Sequence, residues 1–186
     1  RKIRHNCEKS NLKFQVTVKK NLVLLGMMGV GKTTVGKIVA KMQGLDFIDT
    51  DANIEKKCSM TILEIFKKKG EDFFRTMEEK ETLKSLKKNN SIIALGGGAF
   101  INKVIRKNIL ENAISIWLDI DLNILNNRTK WNKKRPLLNK ENTKKIINKL
   151  YFQRKNIYKL ADHRISCDNL DIKKIAKKII IFYENY

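Results

Sequence analysis

The 186-residue sequence is poor in the features that would fix its setting outright. Cys7, Cys58 and Cys167 are an odd number with no CxxC pair. That argues against a disulfide framework and a cysteine-rich zinc site, and it suits a reducing compartment. No stretch approaches the roughly 18 consecutive apolar residues of a membrane span. The first residues lack the apolar core of a secretory leader, so none is expected, and a cytoplasmic setting is. Acidic residues are scarce, 19 against 40 Lys and Arg, for a net charge of +21. Such an excess can mean an anionic partner. The lysines, however, are spread along the whole chain, in runs such as Lys67–Lys69 and Lys173–Lys174 where solvated helix faces are expected. Aromatic platforms and groove-reading motifs, which a nucleic-acid reader would add, are missing. The one proline, Pro136, falls in the polar segment 130–141, which reads as a loop.

What is present is a regular alternation. Apolar runs at 22–25, 47–48, 92–95, 114–118 and 164–166 read as buried strands. Helical patterns lie near 32–43, 52–57, 61–69, 72–88, 102–111, 121–129, 142–159 and 171–184. Thr61 with Glu64 has capping-box spacing, and Gly70 suits a helix stop. Strands alternating with helices predict one α/β domain over 21–186, a parallel sheet with helices on both faces and ligands at the carboxyl ends of the strands. Residues 1–20 are basic, polar and weakly periodic, and are expected to be a poorly ordered extension.

The motifs fall just after predicted strands or on the helices that follow. Gly26-x-x-x-x-Gly31-Lys32-Thr33 is a complete P-loop between a strand and a helix. Its glycines let successive N–H groups face a phosphate, Lys32 reaches the β- and γ-phosphates, and Thr33 can ligate Mg²⁺. Asp49-Thr50-Asp51 closes the second strand, and carboxylates at i and i+2 of an extended segment point the same way. One could hold the metal through water and the other a substrate hydroxyl; equally, Asp51 could cap the next helix. Gly96-Gly97-Gly98 follows the third strand, suiting close approach of a ligand to main chain or a simple flexible turn. Arg75 and Arg154 each have the plainer reading of a helix-surface arginine, Arg75 paired with Glu71, Glu78 or Glu79. Arg135 lies in the 130–141 segment, where a lid arginine could neutralise transition-state charge.

Taken together, GMMGVGKTT, DTD, GEDFFRTMEE, GGGA, RPLL and YFQRKNIYKLAD, in that order, resemble the shikimate kinases from about residue 21 to residue 184. The resemblance implies a three-layer P-loop NTPase-type fold with a five-stranded parallel sheet, a mobile lid at about 130–141 and a monomer. It implies transfer of the γ-phosphoryl of ATP to the 3-hydroxyl of shikimate, on the route to chorismate and the aromatic amino acids. Gly29, Val30, Gly31, Lys32, Thr33 and Thr34 would hold the phosphates of ATP, with Arg128 against the adenine. Thr33 would bind Mg²⁺, with Asp49 supporting it through water. Asp51 would orient or deprotonate the attacking hydroxyl, and Arg135 would meet the transferring phosphoryl. Arg75 and Arg154 would clamp the substrate carboxylate, Gly97 and Gly98 would offer backbone N–H groups, and Phe66 and Phe74 would wall the ring. The first 20 residues match nothing in the family pattern, and His5 and His163 have no role in it. His163 beside Asp162 reads as structural, and Trp117 as core. Three rivals are a P-loop kinase of another sugar acid, a nucleotide-dependent nucleic-acid binder and a catalytically dead homologue used as a binding module, against which the intact Lys32, Asp49, Asp51, Arg75 and Arg154 argue. The second would lose its affinity steeply with salt.

Overall fold

Leu22, Val23 and Leu24 are wholly shielded from solvent, as are Ile92, Ile93 and Ile116. Runs apolar at every position bury both faces of a strand, the signature of a parallel sheet between helices. The computed structural model of the protein describes residues 20–129, 143–168 and 171–186. Its five strands are β1 (Asn21–Leu25), β2 (Asp46–Asp49), β3 (Ser91–Ala94), β4 (Ala113–Asp119) and β5 (His163–Ser166). They form one all-parallel sheet in the order β2-β3-β1-β4-β5. The extension (apart from Lys20) and the 130–141 segment with Arg135 lie outside the described residues.

Among the described residues, the helices are α1 (Lys32–Gln43), α2 (Thr50–Cys58), α3 (Ile62–Lys69), α4 (Glu71–Leu86), α5 (Lys103–Asn112), α6 (Leu122–Thr129), α7 (Thr143–Tyr158) and α8 (Ile172–Glu184). The packing pairs α1 with α8 and α4 with α5 around the sheet. A short 3₁₀ turn, Ala99–Ile101, intervenes where the sequence suggested only a turn. The expected capping box forms at Thr61 and Glu64, and Gly70, at φ +85°, both ends α3 and opens α4. Trp117 is 1% exposed in the core as expected, and His163 stacks on Phe182 with ring centroids 4.1 Å apart.

The register positions the site. Ala94 pairs with Leu24 on one side and Asp49 on the other. Just beyond this row, Gly26, Thr50 and Gly96 therefore emerge close together at the carboxyl end of the sheet. Thr50 locks two of them together: its buried hydroxyl donates to the Ala94 carbonyl (3.2 Å) and accepts from the Gly96 N–H (3.2 Å).

Candidate active site

The loop between β1 and α1 curls through three left-handed glycines, Gly26 (φ +137°), Gly29 (φ +81°) and Gly31 (φ +100°). A side chain at Gly26 would also strike the Leu118 carbonyl oxygen. Gly31 caps α1 without a side-chain bond, so the helix offers its first N–H groups and its positive end to the loop's concavity. Lys32, only 8% exposed, lies across this loop, and its Nζ donates to the carbonyls of Gly26 (2.9 Å) and Met27 (3.0 Å). Val30 is buried, while Gly29, Thr33 and Thr34 are exposed.

Thr33 Oγ1 donates to Asp49 Oδ2 at 2.6 Å, joining the start of α1 to the end of β2. The two residues offer a hydroxyl and a carboxylate side by side. An oxygen-only set with few protein ligands fits Mg²⁺, which keeps much of its water. The extended Asp49-Thr50-Asp51 segment expected from the sequence is not what forms. Asp49 Oδ1 accepts from the Ala52 N–H (3.1 Å) and caps α2, so the helix starts at Thr50 and carries Asp51 in its first turn. The capping residue is thus Asp49, not Asp51. The turn of helix separates the two carboxylates, leaving Asp49 with Thr33 and sending Asp51 to the neighbouring pocket.

That pocket collects Asp51, Phe66, Phe74, Arg75, Gly97, Gly98 and Arg154. Met28, Ile62, Glu78 and Gly96 complete it. Phe66 and Phe74 form one apolar wall, their centroids 4.9 Å apart. Arg75 makes two of the three pairs its spacing suggested: Nη1 donates to Glu78 Oε2 (2.7 Å) and Nη2 to Glu71 Oε1 (2.9 Å), while Glu79 instead accepts from Asn102. Burial works against the Arg75 charge, but the two glutamates outweigh it and raise its pKa. Glu78 is 2% exposed, and burial pushes its carboxyl above the ordinary 4.5 despite Arg75 and Arg154, with Asp51 adding to the push. Arg154 is 7% exposed on α7, and its Nη1 donates to the Gly97 carbonyl at 3.1 Å. The site is therefore an arginine pair and two carboxylates in a half-apolar cleft, beside a phosphate-binding loop.

The glycines are there for space. A Cβ on Gly96 would sit 2.5 Å from Asp51 Oδ1 and 2.7 Å from Glu78 Oε1, and one on Gly98 would sit 2.6 Å from Arg75 Nη1. Gly97 is looser, its nearest neighbour 3.4 Å away. Arg128 is exposed in the last turn of α6.

A family model for shikimate kinase matches residues 28–184. The chain belongs to the shikimate kinase family. It is 45% identical over 168 residues to the shikimate kinase of Bartonella quintana, covering 90% of this chain and 80% of that one. The shikimate kinase of Ruegeria pomeroyi is 36% identical over 180 residues, with 96% and 92% of the two chains covered. Among solved structures, the shikimate kinase from Acinetobacter baumannii in complex with shikimate superposes with a TM-score of 0.86 at 33% identity, covering 90% of this chain and 94% of that one. The all-parallel sheet and flanking helices are those of this P-loop family.

Within this family frame, sequence reasoning missed Glu78 and Tyr158 as parts of the site. Glu78 was visible only as a salt-bridge partner three residues from Arg75. Tyr158 stands four residues from Arg154, the spacing that puts both on one helix face, and its hydroxyl bonds the same Gly97 carbonyl.

Proposed function

We infer that the protein transfers the γ-phosphoryl group of ATP to the 3-hydroxyl of shikimate, giving shikimate 3-phosphate and ADP, on the route to chorismate and the aromatic amino acids. The observation that carries this reading is the placement of Arg75, Arg154 and Asp51 in one pocket immediately beside the P-loop. Shikimate is a hydroxylated ring bearing one carboxylate. Two guanidinium forks suit that carboxylate, and Phe66 and Phe74 suit the ring face.

Lys32, the N–H groups of Gly29 to Thr33 and Thr34 in the first turn of α1 hold the triphosphate. Phosphate oxygens give the Lys32 ammonium charged partners in place of two neutral carbonyls. Mg²⁺ belongs at Thr33, with Asp49 supporting it through water, and supplies neutralisation of the phosphate charge. Asp51 orients the attacking hydroxyl and accepts its proton as the oxygen–phosphorus bond forms and the bond to ADP breaks. Gly97 and Gly98 offer N–H groups to the acceptor. Arg135 meets the transferring phosphoryl and Arg128 the adenine. Phosphoryl transfer needs positioning and charge stabilisation more than covalent help, and this set supplies both. The protein acts as a cytoplasmic monomer on these two small molecules, without nucleic-acid or membrane partners. The test is ADP release dependent on shikimate, ATP and Mg²⁺, with gluconate and quinate as alternative acceptors. Turnover indifferent to shikimate would remove this reading.

A further inference from the structure

Tyr158 closes α7 at 1% exposure, one helical turn beyond Arg154. Its hydroxyl donates to the Gly97 carbonyl oxygen, the same atom that Arg154 Nη1 reaches at 3.1 Å. One carbonyl thus spends both lone pairs on donors from a single helix face. Met27 Sδ lies 3.9 Å from the same hydroxyl, so the contact sits at the seam between the phosphate loop and the pocket. Nearer the start of α7, Tyr151 donates to Asp119 Oδ1 at 3.2 Å, at the end of β4. The helix is pinned at two levels, with Arg154 between them.

The consequence lies in the glycine turn. Three successive glycines have more backbone freedom than any other stretch of this length. The peptide unit is planar and trans, so fixing the Gly97 C=O also fixes the Gly98 N–H, pointing the opposite way. Resting on the shikimate reading above, we propose that Tyr158 is a positioning residue: it fixes the Gly97–Gly98 peptide so that the Gly98 N–H is presented to the acceptor substrate, and it holds Arg154 at the pocket wall. A tyrosine hydroxyl suits the task, because burial pushes its pKa up to about 12 and it stays a donor at every working pH.

The test is Tyr158→Phe, which removes one oxygen and leaves the ring. The protein has nine glycines, and glycine follows glycine only at 96–97 and 97–98. With ¹⁵N- and 1-¹³C-labelled glycine, a carbonyl-edited amide spectrum therefore contains only the Gly97 and Gly98 signals. In the ligand-free variant the Gly98 signal should move while the melting temperature changes by only a few degrees. The KM for shikimate should rise about five- to tenfold, as loss of one buried hydrogen bond implies. The kcat should fall less than about threefold, with the KM for ATP unchanged. A Gly98 signal that stays put in the ligand-free variant, or an unchanged shikimate KM in a folded variant, overturns the inference. Should the variant not fold, the wild type decides: a Gly98 signal indifferent to saturating shikimate also overturns it. Wild type that fails to turn over shikimate sinks the functional reading instead, while the ligand-free comparison still judges Tyr158.

Discussion

Glu78 holds Arg75 from beneath: its Oε2 lies 2.7 Å from Arg75 Nη1, on a side chain only 2% exposed, while Arg75 itself remains about one-third exposed to the pocket. The carboxylate is the buried member and the guanidinium the reaching one. A charge buried this deeply is tolerated because Arg75 answers it, and removing the partner would leave it uncompensated. Glu78 thus ties the aim of Arg75 to the core of the fold.

This relationship sets a pH dependence. The pKa of Glu78 is raised above the ordinary 4.5, first by burial. As pH falls through that raised value, Glu78 becomes neutral and loses its charged hold on Arg75. The KM for shikimate should therefore climb on the acid side at a higher pH than an ordinary carboxylate would give. Glu78→Gln should show a high KM at every pH and lack this acid limb. Stability runs the other way. A carboxyl with a raised folded pKa contributes most below its unfolded value, and loses that contribution as pH rises through the folded one. Kinetics and thermal melts of both proteins across the acid range check both signs.

The glycine turn predicts a contrast between neighbours. Gly96→Ala places a methyl against both Asp51 and Glu78. Displacing two pocket carboxylates by about 1 Å should cost on the order of 10²-fold in kcat/KM. Gly97→Ala, whose nearest contact is 3.4 Å, should stay within about tenfold of wild type. Equal losses in the two variants would mean that backbone freedom matters here and space does not.

Asp49 has two bonds of different kinds, to Thr33 and to the Ala52 N–H. Asn caps helices as well as Asp does, so Asp49→Asn should leave the melting temperature nearly unchanged. The Mg²⁺ concentration for half-maximal activity should rise about 10- to 100-fold, the usual scale for an outer-shell ligand. An unchanged Mg²⁺ dependence would leave Asp49 a helix cap and nothing more.

Much of this was legible in the sequence because the decisive signals are local. Continuous apolar runs such as Leu22–Leu25 show buried parallel strands, and the P-loop glycines show a phosphate site by their backbone demands alone. The boundary at Asp49 was misread because both aspartates are good caps, and only the contact with Ala52 shows which one the helix uses. Arg75 and Arg154, 79 positions apart in the sequence, each looked like a surface helix arginine. Their meeting in one pocket is a property of strand order, and it became readable only through the ordered set of motifs. Glu78 and Tyr158 were hidden for a related reason. Each acts through another residue, and helical spacing shows the pair but not the pocket it serves.

The most direct measurement is ADP release with ATP, Mg²⁺ and shikimate, comparing wild type with Arg75→Ala and running quinate and gluconate in parallel. Wild type should turn over with shikimate and not with gluconate. Arg75→Ala should lose about 2–5 kcal/mol in shikimate binding, because the substrate carboxylate and Glu78 lose a shared partner. Turnover on gluconate instead, or a variant that handles shikimate as well as wild type does, would contradict the carboxylate clamp and the acceptor assigned from it.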